Sequence, residues 1–213
     1  MRIICGLVLG SVIAMGGAIQ TVIAQESVAH SHMAHVSTAF SNTPDGSGLL
    51  TTAIFEAKIA SQHANLASRR PGDLKWMKTH TRHVLHAINT KLEAIGPGMG
   101  FGMIKAANGA ITHINLAAGS ADASGNVRAH TPHVTTATKN AVAWAEEIAI
   151  LGAQILEQKS RKKAAGLTMQ ISKLAGYIYK GKDADEDGEI TWQEGGLKIA
   201  AKHMKLMFAG EGL

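Results

Sequence analysis

From residue 49 onward, apolar residues recur every three or four positions and seldom alternate with polar ones. That is the period of helices, not strands. Breakers cut the pattern into segments. A first helix is predicted over 49–68 and ends at Arg70-Pro71-Gly72. Asp73 is placed to cap a second, over 74–95, because its carboxylate can accept from the free N–H groups of a first turn. Gly96-Pro97-Gly98-Met99-Gly100 ends that helix. Further helices are predicted over 101–118, 126–158 (with a kink near Pro132), 162–181 and 194–208. The expectation is an all-α fold, with an up-down antiparallel four-helix bundle over 49–160 and a C-terminal helix–loop–helix over 161–213. Residues 25–48, rich in small and polar side chains and ending in Thr43-Pro44-Asp45-Gly46-Ser47-Gly48, read as a flexible arm. No internal repeat stands out.

The first 24 residues differ from the rest. Arg2 precedes a nearly unbroken apolar run, and Val22-Ile23-Ala24 offers small residues for cleavage, as in a secretory signal peptide. The expectation is an exported protein, periplasmic or secreted, starting at Gln25. No later run approaches the ~18 apolar residues that a membrane span needs, so no membrane association is expected after cleavage. The single cysteine, Cys5, lies in the leader. That leaves no disulfide and no Cys-x-x-Cys-His haem attachment in the mature chain.

Charge excludes little. The formal charge of +5 falls by one when Arg2 leaves with the leader. The basic run Lys159-Ser160-Arg161-Lys162-Lys163 reads as a solvated junction. With few aromatic residues to stack on bases, no nucleic-acid partner is expected.

Two groups of residues carry chemistry. Residues 183–194 read Asp-Ala-Asp-Glu-Asp-Gly-Glu-Ile-Thr-Trp-Gln-Glu. Calcium takes six to eight oxygens, and this loop offers them at the required spacing. Asp183, Asp185 and Asp187 stand at loop positions 1, 3 and 5. Glu189 offers its carbonyl at 7, Thr191 acts at 9, and Glu194 at 12 can bind through both oxygens. Gly188 at 6 permits the turn. The segment resembles the calcium loop of the EF-hand family. Lys182 and the pair Gly195-Gly196 flank it where the family has apolar residues, so looser junctions are expected. A lone loop implies either weak binding or pairing within a homodimer. A structural calcium role is favoured over a sensor.

Eleven histidines form the second group. A neutral imidazole binds copper, zinc or nickel. His63 and His80 are equidistant from the Pro71-Gly72 turn, His83 and His113 from Gly98, and His113 and His130 from the loop 119–125. His63, His80, His83, His113, His130 and His133 are therefore expected in one layer of the bundle, holding a transition metal. His86 should turn away from it. His30, His32 and His35 belong to the arm. In composition, and in the run His80-Thr-Arg-His83-Val-Leu-His86, the chain resembles histidine-rich helical small metal-binding proteins of the bacterial periplasm.

The reading that follows is an exported metal-binding protein with Ca2+ in one loop and copper, zinc or nickel in a histidine layer. Two alternatives stay open: a calcium-stabilised structural or interaction module whose histidines only pack, and non-covalent haem binding between facing histidines. No enzyme is expected. The chain carries no nucleophile elbow, phosphate loop or His-Glu-x-x-His helix, and the adjacent Glu146 and Glu147 point about 100° apart.

Overall fold

A computed structural model describes residues 27–213. The leader proposed for residues 1–24 lies outside the described residues. The protein is all-α: among the described residues there are seven helices and no strand beyond an isolated bridge between Ala39 and Ser47. The helices are α1 (Val28–Ser37), α2 (Leu49–Ser68), α3 (Leu74–Ile88), α4 (Met103–Gly119), α5 (Gly125–Glu157), α6 (Arg161–Lys180) and α7 (Leu197–Glu211).

Capping explains several starts. The side chains of Ser27, Asp73, Ser124 and Ser160 accept from the backbone N–H three residues on, at His30, Trp76, Val127 and Lys163. Each satisfies one of the donors that a first turn leaves free. The C-cap residue of α6, Gly181, has a φ of +93°, where a side chain would strain the backbone.

Alanine builds much of the core. Ala53, Ala57, Ala60, Ala64 and Ala67 run down one face of α2, and Ala106, Ala107, Ala110 and Ala117 down α4, all fully or almost fully buried. Small faces let helix backbones approach closely. Helix α2 contacts α3, α4 and α6; α5 contacts α3, α4, α6 and α7; α1 lies on α4. The C-terminal helices are thus part of the same packing.

Two expectations fail. The arm at 25–48 contains a helix. Asp122, in the α4–α5 loop, accepts from the N–H groups of Val28 (2.7 Å) and Ala29 (3.3 Å), and Ala29, Met33 and Val36 are buried. Tertiary anchoring overrides a weak local pattern. The second helix stops at Ile88, seven residues early, and its expected tail instead joins a loop to Gly102.

Glu56 pins that loop. It is fully buried on α2, and its Oε1 accepts from the N–H groups of Phe101 (3.0 Å) and Gly102 (3.2 Å). Gly98, at φ +125°, passes so close that a Cβ there would stand 2.3 Å from Glu56 Oε2. Glu56→Ala should therefore destabilise the fold by about 3 kcal/mol, because it strands two buried donors. Glu56→Gln, which keeps the acceptor, should cost less. Urea denaturation of the two variants checks this ordering.

Candidate metal centres

Nine of the eleven histidines meet in three separate triads. Each triad takes two histidines three apart on one helix and one from a neighbouring helix. Residues at this spacing share a helix face. In the first, His32 and His35 of α1 meet His113 of α4. In the second, His80 and His83 of α3 meet His63 of α2. In the third, His130 and His133 of α5 meet His203 of α7. The expected single layer is therefore corrected. His113 pairs with the arm, and His130 and His133 pair with His203, so of the predicted six only His63, His80 and His83 make a complete triad among themselves. Equal distance from a turn sets the height of two residues but not the neighbour each one faces.

All three triads present the same atom. Nδ1 of His113 lies 2.9 Å from Nδ1 of His32 and 3.3 Å from that of His35. For His63 the distances are 2.9 Å to His80 and 3.2 Å to His83. For His203 they are 3.0 Å to His130 and 3.3 Å to His133. One ring nitrogen has one in-plane direction, holding either a lone pair or a hydrogen. Hydrogen bonding can serve one of its two short contacts well, but not both. A cation facing three lone pairs serves all of them. Tetrahedral zinc at about 2.0–2.1 Å keeps its donor nitrogens about 3.3 Å apart, close to these spacings.

The surroundings of seven of the nine favour the ligating form. Burial, followed by the proximity of His83 and His80, lowers the pKa of His63 to about 4. Burial, then His133, His130 and Lys202, lowers that of His203 to about 4. Burial is also the leading cause of the lowered values of His32, His80, His83, His113 and His133. An imidazole held neutral needs to shed no proton before it binds a metal.

An aromatic ring stands against each triad. Phe40 contacts His35 and His113, Trp76 lies 4.2 Å from His80 between ring centres, and Trp192 lies 4.7 Å from His133. Trp76 is fixed by its indole N–H, which donates to the carbonyl of Leu66, and by Arg70 over its face. The two remaining histidines do other work. His86 is buried with Nδ1 2.9 Å from the carbonyl of Glu93, and His30 pairs with Glu211.

Residues 183–194 form an acidic loop between α6 and α7. Carboxylate oxygens of Asp183, Asp185 and Glu194 lie within 4.8 Å of one another. Asp187 stands outside that group, Glu189 is the residue expected to act through its backbone carbonyl, and Thr191 donates its hydroxyl to Glu194. Glu186 and Gly188 adopt φ of +62° and +88°. Asp183 Oδ1 is buried and has no hydrogen-bond partner. The junctions, expected to be loose, are close. Lys182 N–H donates to the carbonyl of Glu194 at 3.0 Å, and a Cβ on Gly196 would meet the Ile178 carbonyl at 2.4 Å. The flanking glycines are what permit that approach. Trp192 and an Asn140 side chain that donates to the Gln193 carbonyl tie the loop to α5 beside the third triad.

No protein-family model, curated protein or solved structure matches this chain. Among the described residues, no helix is long and apolar enough to cross a membrane.

Neutral, desolvated histidines also link the metal-free fold to pH. With folded-state values near 4 against 6.5 unfolded, the unfolded chain takes up protons first as pH falls. Their contribution is complete above pH 6.5 and is lost between there and about 4. The melting temperature of metal-free protein should therefore drop across this window, and the drop should be smaller in a His63→Ala/His203→Ala double variant.

Proposed function

We propose that the protein is an exported metal-binding protein that holds transition-metal ions in its histidine triads and calcium in its acidic loop. One observation carries the first half: three different helix pairs each bring three imidazoles together through the same ring nitrogen. Histidines that only fill a core have no reason to converge in this way. Copper, zinc and nickel are the ions suited to an all-imidazole set, whereas magnesium and calcium prefer oxygen. Haem is less well served. A porphyrin must slide between its two axial imidazoles, but these rings already touch each other.

For the loop, the support is the ligand pattern together with the orphaned Asp183 Oδ1. A buried carboxylate oxygen without a donor is costly unless a cation faces it. The reading is of an EF-hand type site with a structural role, holding the start of α7 against α5. Export rests on the sequence of the first 24 residues. Extracellular calcium modules work at about 10⁻⁴–10⁻³ M, which suits that location.

Metal analysis of untagged protein after dialysis tests the reading. Calcium together with copper, zinc or nickel is the expected content. Calcium alone, unchanged after incubation with each of the other ions, would leave the structural module as the better account. Calcium should also change the fluorescence of Trp192, with the change retained in a Trp76→Phe/Trp144→Phe background. Asp183→Asn should abolish it while leaving the histidine-bound metal in the first two triads.

A further inference from the structure

The triads share more than their donor atoms. The second begins His63-Ala-Asn65-Leu66-Ala67 and continues His80-Thr81-Arg-His83-Val84. Fifty residues on, with no gap, stand His113-Ile-Asn115-Leu116-Ala117 and His130-Thr131-Pro132-His133-Val134. The arm carries the second half again, as His32-Met-Ala-His35-Val36. Burial follows the same register. Val36, Val84 and Val134, each just after the second histidine of its pair, are all fully buried. Around the single histidines, Ala60, Ala110 and Ala200 three residues before, and Ala64, Ile114 and Met204 one residue after, are buried in every case. The absence of an internal repeat, expected from the sequence, is therefore corrected. The elements recur, and the third copy of the single-histidine helix is displaced to α7 by α6 and the acidic loop.

Each triad is also incomplete as a closed site. Among the described residues, no fourth His, Cys, Asp or Glu joins any of them. Structural zinc sites normally have four protein ligands, while sites that exchange ligands keep one position open. Eight of the nine histidines are partly exposed, and only His80 is buried.

We infer that the three triads are copies of one site, each binding the same kind of ion through three Nδ1 atoms and leaving the fourth position to solvent or to a donor from an acceptor molecule. This rests on the metal-binding reading above. Release then proceeds by ligand exchange. A nitrogen or sulfur lone pair of the acceptor forms a bond to the metal at the open position, a metal–Nδ1 bond breaks, and no electron changes hands. Such chemistry suits a carrier that hands ions on.

Cobalt(II), whose visible bands report coordination, is the probe. Titration of the untagged protein should saturate at about three ions per chain, one for each triad, with one spectral shape throughout. His63→Ala, His113→Ala and His203→Ala should each remove about a third of the amplitude; if any fails to fold by circular dichroism, His83→Ala, His35→Ala or His133→Ala replaces it. Added azide should shift the bands, and the rate of transfer to a chelator should rise in proportion to chelator concentration. Distinct spectra for the three sites would overturn their equivalence. Bands indifferent to azide, or transfer independent of chelator concentration, would overturn the open position. In all of these cases metal binding itself survives. Failure of cobalt, zinc and copper to bind at all would overturn the metal-binding reading and this inference together.

Discussion

Imidazole is a short side chain, so two helices can bring its nitrogens to about 3 Å only if their backbones run close together. That closeness is the constraint on which the rest of the structure depends. Alanine faces on α2 and α4 supply it, with Ala60, Ala64, Ala110 and Ala117 buried near the single histidines. Larger residues there would widen the helix spacing toward the upper end of the usual 8–10 Å and draw each single histidine away from its pair. The alanine content is thus tied to the chemistry. It also limits the apolar area that each residue buries, so individual polar anchors such as Glu56 and Asp122 matter more to stability here than they would in a leucine-rich bundle.

Much of the fold was legible. The cap at Asp73, breakers at Pro71-Gly72 and the small-residue loop before α5 set most boundaries to within a few residues. Helix α1 was missed because its anchor, Asp122, lies far away in sequence. The end of α3 was missed because the loop that follows is held by a buried carboxylate on α2, and no local signal announces such a bond. Turn-symmetric spacing foretold the meeting of His63 and His80, but its other two pairs, His83 with His113 and His113 with His130, do not meet. A helix in a bundle has several neighbours, and His113 faces α1 rather than α5 because of packing decided elsewhere. The decisive sequence signal was the recurring His-x-x-His-Val, a pattern of side-chain identity more than of hydrophobicity, and periodicity does not detect it.

The third triad joins histidines 73 residues apart, close to the 81 of the first, and it lies beside the acidic loop. His63 and His80 are joined by a short turn, and the first triad is fixed by Asp122 at the start of α1. His203, by contrast, reaches His130 only after the rest of α5, all of α6 and the loop have been traversed. Closing such a connection carries a larger entropy cost than the short turn of the second triad does, and α7 is held to α5 at both ends, by the acidic loop at its start and by Glu211, which accepts from Ser124 and Asn126, at its finish. The loop meets α5 through Trp192 and Asn140, and its two ends meet at Lys182 and Glu194. Its carboxylates also crowd one another, and like charges at that separation repel unless a cation intervenes. On the proposed reading, calcium removes the repulsion at the point from which α7 is launched. It would act on the third histidine site without touching it, by holding still the helix that supplies His203. A bracing role of this kind needs no opening motion, and the close glycine junctions at Gly195 and Gly196 suit a fixed hinge better than a moving one.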